Sequence, residues 1–137
     1  MRNFMKELYL AQYAFNFRTT YWENENLKSA SAIIMVALPQ FWICCCLLCM
    51  LEVIRGSRFL LLKEHGWVVA FLAPALYQLN YAILIKTRLG PNFITEFNSF
   101  NRAHRRILNL LAIAILLVSF GLTLIVVPWR DRLVPYH

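Results

Sequence analysis

Ile107-Leu-Asn-Leu-Leu-Ala-Ile-Ala-Ile-Leu-Leu-Val-Ser-Phe-Gly-Leu-Thr-Leu-Ile-Val-Val127 is an apolar run without a single charged side chain. A helix rises ~1.5 Å per residue, so roughly 20 apolar residues cross the ~30 Å hydrocarbon core of a bilayer. Inside that core only water-free, internally hydrogen-bonded backbone is tolerated, and a helix supplies it. This stretch therefore predicts a membrane-spanning helix, with Pro128 as its stop.

Two further runs repeat the pattern, Ala32 to Val53 and Trp67 to Ile85. The expected fold is an all-α integral membrane protein with three transmembrane helices over 31–54, 66–86 and 107–128. The chain has 137 residues, 60% of them hydrophobic, and its mean hydropathy is +0.53. A soluble domain is nearer ~45–50% apolar. Three spans consume most of this length, so a single membrane domain over 1–137 is expected, with no room for a soluble one.

The segments between the spans have their own patterns. Residues 1–28 carry Phe4, Tyr9, Tyr13, Phe15, Phe17, Tyr21 and Trp22. Phe4, Leu8, Ala11 and Phe15 share one helical face, while Leu10, Tyr13 and Phe17 form a second stripe nearly opposite. A helix apolar on two sides lies at an interface or is sandwiched, and the interfacial reading is the expectation here. Ser29 or Ser31 is placed to cap the first span. Phe59 to Leu62 reads as a short interfacial stretch. Gly90-Pro91 opens an amphipathic surface helix over 91–106, which runs towards the third span.

No signal-peptide pattern opens the chain, so insertion is expected to rely on the first span. The net charge is +7, from 14 Lys+Arg against 7 Asp+Glu. In a soluble protein that balance would suggest nucleic acid. Beside membrane spans it instead predicts contact with anionic lipids and sets orientation. Three crossings place nine of the 14 basic residues on the side of the N terminus and five on the other. The positive-inside rule then assigns the N terminus to the matrix or cytoplasmic side. Arg102, Arg105 and Arg106 are the expected lipid headgroup contacts. Phe93, Phe97 and Phe100, at i, i+4 and i+7, are the expected contacts with the bilayer or a partner subunit.

Polar groups within the spans are the candidate interhelical contacts. Gln40 and Gln78 fall at similar depth in antiparallel neighbours and are expected to pair. Asn80 and Asn109 lie nearer one surface and could pair likewise. Cys44, Cys45, Cys46 and Cys49 could place two thiols on one face. A thiolate inside hydrocarbon is costly, and no histidine sits at their depth, so packing is their expected role. His65 and His104 belong to opposite interfaces and cannot share one haem iron.

No metal and no catalytic set is expected, and no cofactor beyond bound phospholipid. The chain shows no glycine-rich phosphate loop or HExxH, and no second cysteine group beyond Cys44 to Cys49. The expected function is that of a non-catalytic accessory subunit of a larger multi-subunit membrane complex. Its expected host is an energy-transducing membrane, the mitochondrial inner membrane or a bacterial plasma membrane. The alternative from another class is a bacterial inner-membrane immunity-type protein that blocks a pore-forming toxin. Stoichiometric partners in native membranes would separate the two.

Overall fold

The computed structural model describes residues 4–57 and 66–134, without the side chains of 66, 68 and 69. Phe59 to Leu62 and His65 lie outside the described residues. The described chain is all helical: α1 (Phe4–Thr19), α2 (Glu25–Arg55), α3 (Gly66–Tyr81), α4 (Leu89–Ser99) and α5 (Arg102–Leu133). A π-helical turn, Ala82–Lys86, prolongs α3.

Two of these helices, α2 with 31 residues and α5 with 32, are long and apolar enough to cross a membrane. The third run folds as the 16 residues of α3 and the five of the π turn. At ~1.5 Å per residue α3 alone covers about 24 Å, short of the ~30 Å hydrocarbon core.

Three contacts fix the register of the long pair. The rings of Trp42 and Phe120 are 5.0 Å apart. Cys46 Sγ lies 3.6 Å from Thr123 Oγ1. Arg130 Nη1 donates to Glu52 Oε2 at 3.1 Å. Both chain numbers rise together, so α2 and α5 run parallel. A chain cannot make two parallel neighbours without returning between them. The return is made through α3 and the π turn.

Local signals explain the helix ends. Asn24 Oδ1 accepts from Asn26 N at 2.8 Å and caps α2. Neither Ser29 nor Ser31 is the cap: the helix starts earlier, and these hydroxyls meet Tyr13 and Thr20 instead. Gly56 closes α2 in the left-handed region at φ 66°, the usual glycine solution after a helix. Asn101 Oδ1 accepts from His104 N at 2.7 Å and starts α5. The surface helix expected over 91–106 is therefore interrupted at Phe100 and Asn101, both extended. Pro128 does not end α5, which continues to Leu133. Proline removes one backbone donor, and a neighbouring helix lets a membrane-type helix absorb that loss.

The buried apolar core sits at one end of the bundle. Leu10, Ala11, Tyr13 and Ala14 of α1 meet Ala32, Ile33 and Val36 of α2, Leu84 of the π turn, Phe93 and Phe97 of α4, and Leu108 of α5. The two apolar stripes of α1 are explained by this setting. Residues 10–14 are buried on every side, so its middle turn is a core element rather than a helix lying free at an interface. Helix α4 approaches through Gly90. A Cβ there would stand 2.6 Å from Tyr13 Cε1, so only glycine lets the backbone rest on that ring.

Candidate functional site

Polar side chains gather in three places. The first is Asn80, near the end of α3 and 1% exposed. Its Nδ2 donates to Gln40 Oε1 at 2.8 Å and to Leu76 O at 2.7 Å. Its Oδ1 accepts from Tyr9 Oη at 2.6 Å and from Gln40 Nε2 at 3.3 Å. An amide offers two N–H and two lone pairs, and here all four are used. Burial raises the Tyr9 phenol to a pKa of about 12, so it remains a donor at neutral pH. This knot ties α1, α2 and α3 together.

The predicted pairing within this group needs correction. Gln40 bonds Asn80, and Gln78 is exposed. Residues two apart on a helix point about 200° from each other, so α3 cannot present both Gln78 and Asn80 to α2. Asn109 does not reach Asn80 either. Among the described residues its Oδ1 is buried without a partner, as is Gln12 Nε2.

The second place is the far end of the long pair. Arg130 is 2% exposed and Glu52 is fully buried, and their side chains join at 3.1 Å. Asp131 accepts from Arg130 Nη2 at 2.6 Å and from Nε at 3.0 Å. A guanidinium facing two carboxylates in an apolar setting is a structural clamp, with its charge and its planar donors both used. An acid near the end of the first apolar run and an arginine just past the third, on one side of a three-span chain, were the signal that could have paired Glu52 with Arg130.

The third is a cleft of about 400 Å³ between α1 and α5, lined by Phe15, Arg18, Thr19, Arg102, Arg105, Arg106 and Asn109. It brings together the three arginines singled out as headgroup contacts and adds Arg18, which sequence reading had not selected. Beside it Glu7 Oε1 and His104 Nε2 are 2.9 Å apart, and the Phe100 ring meets the His104 ring edge-on at 4.8 Å.

The phenylalanines of α4 are a second correction. Phe93 and Phe97 are turned into the chain's own core, and Phe100 is half-buried against it. Their rings pack on one another at about 6 Å between centroids. An amphipathic pattern shows that a face is covered, and α1 of the same chain covers this one. Phe93 and Phe97 are thus unavailable as the partner surface that was expected.

The cysteines line α2. Cys45, Cys46 and Cys49 are buried, Cys44 is half-buried, and all four are free thiols. No cluster of three metal-ligating side chains occurs among the described residues. No protein-family model, curated protein or solved structure matches the chain.

Proposed function

We propose that the protein is a non-catalytic accessory subunit of a multi-subunit membrane complex. In this reading it crosses the bilayer three times, with its N terminus on the matrix or cytoplasmic side. The observation that carries the reading is where the intramembrane polar groups are spent. Gln40 and Asn80 hold α2 to α3, and Glu52 and Arg130 hold α2 to α5. Both sets serve helix association, the common use of polar groups in a bundle that hydrophobic burial cannot drive.

The outward sides of the long helices support it. Ile43, Leu47, Met50 and Ile54 of α2, and Leu117, Val118, Leu124 and Ile125 of α5, are exposed in the isolated chain. Lipid tails and neighbouring helices are the natural cover for such surfaces. The parallel register of α2 with α5 supports a third crossing by Gly66–Lys86, because two parallel spans demand a return.

Gentle solubilisation of native membranes, followed by mass spectrometry of what co-purifies, tests the subunit role. Several partners at fixed stoichiometry are expected. Recovery of the chain alone, at native abundance, contradicts it.

A further inference from the structure

The acidic side chains of this protein are unevenly spent. Glu52 and Asp131 attend Arg130, and Glu7 meets His104. Among the described residues no carboxylate lies within ion-pair distance of Arg18, Arg102, Arg105 or Arg106. Four guanidiniums without a carboxylate partner nevertheless line one cleft, Arg18 lying 5.8 Å from the centroid of the Phe97 ring. Like charges held together repel, and the arrangement becomes favourable once an anion enters.

The chemistry of the walls narrows the anion. All four cations are arginines, whose planar forks bind phosphate oxygens in bidentate fashion. A volume of about 400 Å³ falls in the range of small-molecule pockets and exceeds the needs of a bare oxyanion. The face of α5 below the cleft is apolar. Positions 102, 106, 109, 113, 117 and 120 advance by threes and fours and so form one stripe. Its lower members, Ile113, Leu117 and Phe120, are exposed and extend about 20 Å from Arg106.

We propose that the cleft walled by Arg18, Arg102, Arg105 and Arg106 binds the phosphate of an anionic phospholipid, with the acyl chains lying along Ile113, Leu117 and Phe120. The site rests on the reading of α5 as a membrane span. Because Arg18 belongs to α1 and the others to α5, the bound headgroup bridges the two helices.

Native mass spectrometry of the delipidated full-length protein in mild detergent tests the assignment. The probes are phosphatidylglycerol, phosphatidylcholine with the same acyl chains, and inorganic phosphate. Phosphatidylglycerol should bind at least about ten-fold more tightly than phosphatidylcholine, and phosphate should not compete at equal concentration. Each arginine near an anionic headgroup contributes about five-fold in binding, so Arg105→Gln with Arg106→Gln should lose about 25-fold. Lysine at both positions keeps the charge without the fork and should lose less. Arg132→Gln, exposed at the opposite end of α5, should change nothing.

Equal binding of the two lipids overturns the proposal. So does a loss in Arg132→Gln as large as in the paired variant. Competition by inorganic phosphate would make the cleft a soluble-anion site and overturn the lipid assignment. Binding is read in detergent without reference to topology, so its failure is distinct from failure of the membrane-crossing reading.

Discussion

The two ends of the α2–α5 pair are built on different physics. At the end where the helices begin, α1, α4 and the π turn close over them, and the contact is apolar, aromatic and dense. At the end where they finish, much of both helices is bare and one buried ion pair joins them. The first end resembles the interior of a soluble protein and can draw on burial from water, worth about 25 cal/mol per Å². The second gains little that way if lipid surrounds it, because tails are as apolar as the side chains they replace. A directional contact is what such an end can use, and Glu52 with Arg130 provides one.

The largest effect is expected at the bare end. Arg130→Met removes the guanidinium that meets the fully buried Glu52 carboxylate and should destabilise by about 3–5 kcal/mol. Combining it with Glu52→Gln should recover most of that loss. Reversible unfolding in mixed micelles reads both. A double variant as unstable as Arg130→Met alone would show that the pair is not the clamp.

Glycine substitutions sharpen the same contrast at smaller scale. Gly90→Ala places a methyl 2.6 Å from a fully buried ring and should cost about 1–3 kcal/mol. Gly121→Ala, on α5, meets nothing within 4 Å and should gain up to about 1 kcal/mol from helix propensity. Similar losses at both sites would mean that the two ends are equally packed.

Next in size is the amide knot. Gln40→Leu and Asn80→Leu should couple by roughly 0.6–2 kcal/mol in a double-mutant cycle. Gln78→Leu should couple to neither. A coupling between Gln40 and Gln78 would restore the pairing that depth alone suggested.

The remaining test is a titration. With its folded pKa raised to about 12, the Tyr9 phenol contributes stability that is fully present below its ordinary value of 10.0. That contribution is lost as pH rises towards the folded value, since the unfolded phenol ionises first. Tyr9→Phe should flatten the alkaline decline of stability between those limits. An identical decline in both proteins would place Tyr9 outside the knot.

These comparisons also separate what was legible in the residues from what was not. Composition and run length were enough to read the helical class, because every stretch needs internal backbone hydrogen bonds in hydrocarbon. Run length said nothing of who stands beside whom. Gln78 and Asn80 differ by two positions, and only the rotation of α3 decides which one faces Gln40. Phe93 and Phe97 announce a covered face, but the covering helix is Phe4–Thr19, whose two-sided stripe by pattern alone reads as interfacial. Nothing local in the sequence joins Arg130 to Glu52; the parallel register of α2 and α5 sets them side by side. The basic cluster of Arg102, Arg105 and Arg106 was visible locally, whereas Arg18 joins it only through the packing of α1 on α5.

The central claim is that two parallel helices are linked by a chain that returns through the membrane. Cysteine accessibility in intact, oriented vesicles tests it, in a background with the four native cysteines replaced. Single cysteines at the exposed positions Glu23, Ser57, Asn98 and Arg132 serve as probes for a membrane-impermeant thiol reagent. The account predicts that positions 23 and 98 label from one side and positions 57 and 132 from the other. Labelling of 57 and 98 from the same side would remove the return crossing and contradict it.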